Sequence, residues 1–175
     1  MPQFILDSLI QTGKGSSASI LVTQPRRISA ISVAARVHAE RLNDGSVGYV
    51  IRGESKLTEK TKLLFCTTGV LLRRFSNGDD FSGVTHVIVD EVRNTSSAFL
   101  HIHELAQVHE RSVDSDFLLL ELKELLERNS TLKIVLMSAT INHETFVRYF
   151  SNAPLLTISG FAHPVKDMCE PQLMK

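Results

Sequence analysis

The chain has 175 residues, with 19 lysines and arginines against 19 aspartates and glutamates, so its formal net charge is zero. That length suits one domain. The charge balance argues neither for nor against a nucleic-acid partner, so any such binding must come from local clusters. Two distant cysteines, Cys66 and Cys169, exclude a disulfide framework and fit a reducing compartment. No apolar run approaches the ~20 residues of a bilayer span, and no basic-then-apolar leader opens the sequence.

Taken in order, Phe4, Ile5, Leu6, Leu9 and Ile10 fall mostly on one helical face, which predicts a short helix over 3–12. Gly13, Gly15, Ser16 and Ser17 end it in a loop. Residues 20–23 read as a buried strand stopped by Gln24-Pro25, since proline removes a ladder donor. Helical spacing returns over 28–42. Short strands follow at 47–51 and 62–66, then a helix at 68–75 closed by Asn77-Gly78. Residues 84–89 form a β-branched strand that runs into Asp90-Glu91. An amphipathic helix covers 117–126, and a strand at 132–137 leads into Ser138-Ala139-Thr140. A helix with Asn142 as its cap is predicted over 142–150, and a last strand over 155–158. Strands alternating with helices in this way predict an α/β fold with a mostly parallel sheet.

In such sheets ligands sit at the carboxyl ends of the strands. Three polar clusters fall just past predicted strand ends, at 23–27, 90–91 and 138–140, so topology predicts that they share one rim. Asp90 and Glu91 have the layout that holds a hydrated Mg²⁺ and a water near a nucleotide's terminal phosphate. Thr23, Gln24, Arg26 and Arg27 supply a hydroxyl, an amide and two guanidiniums at a strand-to-helix turn, where backbone amides and arginine forks attract phosphate. Thr67, Thr68 and Gly69 open a helix in a way that suits a nucleic-acid backbone. Each cluster has a plain alternative when taken alone: a solvated acidic loop, a basic turn, a helix cap, or ordinary turn chemistry.

Together, in this order and spacing, the clusters resemble the DEAH/RHA group of superfamily 2 helicases. The resemblance is carried by Pro2–Leu6, Thr23–Ala30, Ser32–Val37, Val47–Tyr49, Thr67–Arg74, Asp90–Val92, His109–Ser112 and Ser138–Thr140. It implies a RecA-like three-layer fold of the P-loop NTPase type, with ATP and Mg²⁺ as cofactors and RNA as partner. By resemblance, Asp90 and Glu91 are the metal-holding and water-positioning carboxylates, and His109 is the histidine of the acidic motif. Arg36 matches the arginine that stacks on the nucleotide base. Ser138 and Thr140 match the segment linking hydrolysis to strand movement. Thr23, Gln24, Arg26, Arg27, Thr67, Thr68 and Gly69 match segments facing RNA.

Three departures from the family pattern set further expectations. The glycine-rich phosphate loop and its strand should precede Pro2-Gln3-Phe4, yet Met1 stands there. The lobe therefore reads as N-terminally truncated, with sheet edges left unpaired. Gly13–Ser17 is no substitute, because it follows a helix and precedes a strand, the reverse of a phosphate loop. Next, residues 93–108 separate Asp90-Glu91-Val92 from His109-Glu110-Arg111-Ser112. The removable piece Val92–Gln107 has the codon possibilities of a translated intron, and its His101, His103 and Glu104 lack the spacing of a zinc site. Finally, residues 161–175 read as the start of a linker toward a second RecA-like lobe, leaving 1–160 as a partial ATP-binding domain. The expectation is a helicase ATPase lobe that is inactive alone. The alternatives are a non-catalytic RNA-binding fragment or a truncated product. No membrane association is expected, and the location is cytoplasmic or, alternatively, nuclear.

Overall fold

The computed structural model describes residues 1–92, 109–138, 143–151 and 153–158. Two compact units divide the chain, Met1–Asn142 and His143–Lys175. The first carries helix α1 (Pro2–Gln11), strand β1 (Ile20–Gln24), α2 (Arg27–Glu40), β2 (Val47–Ile51), β3 (Glu54–Lys56), β4 (Leu63–Thr67), α3 (Thr68–Ser76), β5 (His86–Val89), α4 (His109–Arg128) and β6 (Lys133–Leu136). The second contains α5 (His143–Tyr149).

The sheet order is β3-β2-β4-β1-β5-β6. All its pairings are parallel except β2 with β3, which form an antiparallel hairpin. Strand β1 therefore sits between β4 and β5, and every residue of it is buried. Ile20, Val22, Leu63, Phe65 and Ile88 cluster with Leu6 of α1 and with Ala34 and Val37 of α2. The alternate residues Leu21, Val87 and Val89 are buried as well. Because successive side chains point to opposite faces, helices must cover both sides, and this explains why the strands read as continuous apolar runs. With a mostly parallel sheet and flanking helices, this is an α/β, RecA-like arrangement.

The predicted strands and helices fall close to the observed ones, with three differences. The helix expected over 117–126 is longer, starting at His109. Strand β3 was not anticipated; its three residues are all exposed and follow Gly53 at φ +84°, so no hydrophobic alternation announces it. Residues 155–158 are not a strand. Leu155, Leu156 and Ile158 are exposed, and among the described residues this apolar run has no strand partner to form a ladder with. At the sheet's margin, β6 pairs with β5 alone among the described residues. The insert at 93–108, the Asn142 cap and the expected boundary near 160 lie outside the described residues.

At one position in the sheet only glycine fits. A Cβ on Gly48 in β2 would stand 2.5 Å from the Lys56 carbonyl oxygen and 3.1 Å from both Leu57 and Thr61 side chains. Gly48→Ala should therefore destabilise the fold by about 1–3 kcal/mol, the usual cost of overpacking, as read from urea unfolding midpoints at unchanged slope.

Candidate functional site at the carboxyl rim of the sheet

The pairing register puts the strand ends level. Gln24 lies opposite Thr67, Thr23 opposite Val89, and Val89 opposite Leu136. The segments that leave these strands are thereby brought together along one rim. Two main-chain bonds continue the ladder past the strands: the Asp90 N–H donates to the Thr23 carbonyl at 3.3 Å, and the Val92 N–H to the Met137 carbonyl at 3.1 Å. The acidic pair is thus fixed between the ends of β1 and β6.

Asp90 is half-buried and Glu91 exposed. The Gln24 side-chain amide donates to Asp90 Oδ2 at 2.7 Å, while Asp90 Oδ1 accepts the Glu91 N–H at 2.9 Å. Among the described residues, the Gln24 amide and the Glu91 N–H thus each hold one oxygen of the carboxylate. Glu91 has φ +54°, in the left-handed region that non-glycine residues seldom occupy. Mg²⁺ retains several waters and is held by one or two carboxylates. A half-buried, oriented carboxylate beside an exposed one fits that requirement for water-mediated binding.

The arginine turn divides between interior and surface. Thr23 and Gln24 are 0% and 4% exposed, respectively, whereas Arg26 and Arg27 are exposed. The Thr23 and Gln24 side chains thus lie inside the unit, with the Gln24 amide donating to Asp90, and Arg26 and Arg27 lie outside. Thr67 and Thr68 are half-buried, and Gly69 is exposed with open space around its Cβ position.

Helix α2 begins after Arg26 and α3 after Thr67. Neither N-cap makes a side-chain capping bond, and neither first turn carries an acidic residue. The capping explanation for Thr67 is therefore not the one the structure uses. Because β1 and β4 are adjacent, these two helix starts are neighbours, each directing unpaired backbone N–H groups and the positive end of its dipole toward the rim.

Arg36 does not reach this rim through its own helix. It lies nine residues into α2, about 14 Å along the axis at 1.5 Å per residue. There its Nε donates to Glu40 at 2.8 Å, and the Gln3 amide of α1 donates to the other Glu40 oxygen at 3.1 Å. The bond from Arg36, joined by that from Gln3, lowers the Glu40 carboxyl below its ordinary value, and the bond to Glu40 raises the Arg36 guanidinium. A cavity of about 310 Å³ adjoins this group, lined by Gln3, Asp7, Glu40, Arg41, Leu42 and Asp44. Ser138 is exposed and follows β6. His109 opens α4, but its side chain, like all of Thr140, lies outside the described residues.

Sequence reasoning missed the Gln24–Asp90 bond. Its signal was there: residue 24 shares strand alternation with Ile20 and Val22, so an amide was due to point inward where a neighbouring strand ends in a carboxylate.

The fold and the rim define the class as an α/β, RecA-like domain with its polar residues gathered past the parallel strand ends. No protein-family model matches the chain. A protein of Mycosarcoma maydis is 52% identical over 95% of the chain. The DExH-box ATP-dependent RNA helicase DExH3 of Arabidopsis thaliana is 49% identical over 95%, and the ATP-dependent DNA/RNA helicase DHX36 of Homo sapiens 45% identical over 94%. The chain spans 10%, 13% and 15% of these relatives, respectively. The chain belongs to the DEAH/DExH-type helicases.

Two outcomes follow from the buried polar groups. The Thr23 hydroxyl is fully buried and makes no hydrogen bond among the described residues. Replacing it by a methyl in Thr23→Val should leave the protein equally stable or raise stability by up to ~1–2 kcal/mol, measured by thermal and urea unfolding; a clear loss would show that the hydroxyl has a partner. His86 is buried at the start of β5, where burial and then the charge of Lys133 push its pKa below the ordinary 6.5. The unfolded chain takes up that proton as pH falls through 6.5 while the folded chain resists it. Stability is therefore full above that pH and declines below it. The drop in melting temperature from pH 7.5 to pH 5.5 should be smaller in His86→Gln than in the unmodified chain.

Proposed function

We propose that this chain is part of the ATP-binding lobe of an ATP-dependent RNA helicase, in which ATP hydrolysis is coupled to unwinding of RNA or movement along it. The observation that carries the reading is the level register of β4, β1, β5 and β6. It gathers two helix starts, two exposed arginines and an acidic pair along one rim. The family names of the relatives support the same reading.

In this reading Arg26 and Arg27, with the N–H groups that open α2 and α3, bind successive phosphates of the RNA backbone. Thr67, Thr68 and Gly69 allow close approach of that backbone. Asp90 and Glu91 hold Mg²⁺ through water and orient the attacking water. Mg²⁺, when bound, neutralises charge on the terminal phosphates of ATP. Arg36 offers a planar face to the base, held by Glu40 and Gln3. His109, Ser138 and Thr140 transmit hydrolysis to the RNA-facing elements, and a second RecA-like lobe is the partner that completes the site.

The 175 residues by themselves are proposed not to turn over ATP. Among the described residues no glycine-rich loop joins a strand to a helix start in the order that cradles β- and γ-phosphates. Gly15–Ser17 forms a 3₁₀ turn between α1 and β1 instead.

Two measurements on the purified chain test the two halves of this reading. A fluorescent oligouridylate should bind with an affinity that falls with salt, and Arg26→Ala with Arg27→Ala should reduce the slope of log affinity against log salt by about 2. An unchanged slope would remove these arginines from the interface. Phosphate release from ATP should stay at background with and without RNA; RNA-stimulated turnover would overturn the proposed inactivity.

A further inference from the structure

We infer that Gln24 is a positioning residue that ties the exposed arginine turn to the metal-holding carboxylate, so that RNA on the turn reorients Asp90. This rests on the reading of Arg26 and Arg27 as RNA contacts and of Asp90 as a metal-holding group.

The argument begins with strand alternation. Ile20, Val22 and Gln24 share one face of β1, and Ile88 and Asp90 share the corresponding face beside it, because Ile20, Val22 and Ile88 lie in one buried cluster. Gln24 is 4% exposed, so its amide cannot turn to solvent without breaking the packing around it. It donates instead to Asp90 Oδ2 at 2.7 Å. A donor to a carboxylate makes a short, charge-assisted bond, stronger than a neutral one. In a partly buried setting, losing it would leave the amide unsatisfied.

The tie between β1 and Asp90 is double. The main chain contributes the bond from the Asp90 N–H to the Thr23 carbonyl, and the side chain contributes the bond from Gln24. Asp90 Oδ1 is held separately by the Glu91 N–H. The main-chain bonds fix where Asp90 is, and the Gln24 bond fixes how its carboxylate is turned. On the other side, Gln24 is followed by Pro25, whose ring restricts φ, and then by Arg26 and Arg27 at the surface. Little slack separates the cations from the amide. A shift of the turn on binding phosphates therefore reaches Gln24, and through it the orientation of Asp90. Hydrolysis tolerates little misplacement of its groups, so a small rotation here suffices to couple RNA occupancy to the acidic pair.

The test uses the isotopically labelled 175-residue chain and a short oligouridylate as probe, read by NMR. In the unmodified chain, RNA should shift the backbone signals of Arg26 and Arg27, and with the same midpoint the side-chain amide of Gln24 and the carboxyl carbon of Asp90. In Gln24→Leu, which keeps the bulk and removes the donor, the arginine signals should still respond. The Asp90 response should fall ~threefold or more, in the range of coupling within one hydrogen-bond network. An Asp90 signal that responds equally in Gln24→Leu overturns the inference. So does an unmodified chain in which the arginines respond while Gln24 and Asp90 stay silent, a result that needs no variant to fold. Both would leave the RNA reading standing. Silence at Arg26 and Arg27 in the unmodified chain would sink the RNA reading, and this inference with it.

Discussion

The parallel register of β1 between β4 and β5 is the constraint on which the rest of the structure depends. It sets Gln24 beside Thr67 and Thr23 beside Val89, and it is held because both faces of the sheet are covered. A slip of one residue would turn Ile20 and Val22 from one buried layer to the other and send Gln24 away from Asp90. Hydrophobic packing under the sheet thus determines the placement of polar groups at its rim. No feature of the acidic pair or of the arginine turn would bring them together without it.

At the rim, depth decides what each polar group can do. Thr23 and Gln24 lie beneath the surface, while Arg26 and Arg27, just beyond Pro25, lie on it. The same contrast separates Asp90 from Glu91. Half-burial and two donors hold the first, whereas the second is exposed on a left-handed backbone. Adjacent starts of α2 and α3, both without side-chain caps or acidic residues in their first turns, add the positive ends of two helix dipoles to the exposed arginines of the rim, although the chain as a whole is neutral. Zero net charge is therefore compatible with a phosphate-facing surface, because the field that matters acts over only a few ångströms before solvent and salt screen it.

Arg36 shows how a helix separates residues that look close in sequence. It follows the arginine turn by only nine positions, yet helical rise carries it along α2 to a different neighbourhood, beside Glu40 and Gln3 of α1. Its exposed ion pair with Glu40 adds little to stability, as surface pairs generally do. The link through Gln3 instead connects the C-terminal end of α2 to the first turn of α1, next to the cavity that Asp7, Arg41 and Asp44 also line.

By itself the sequence determined the alternation of strands and helices, the order of the clusters and the likeness to the DEAH/DExH-type helicases. Those follow from short-range periodicity, proline and glycine positions and runs of particular residue types. It overreached at 155–158, where apolar character was present but no strand formed. It also passed over β3, whose residues carry no apolar signal. Tertiary structure alone decided which polar side chains of the arginine turn are inside and which outside, because burial depends on what neighbouring strands and helices cover. The Gln24–Asp90 bond likewise exists only once two strands far apart in the chain lie side by side, and local pattern does not carry that distance.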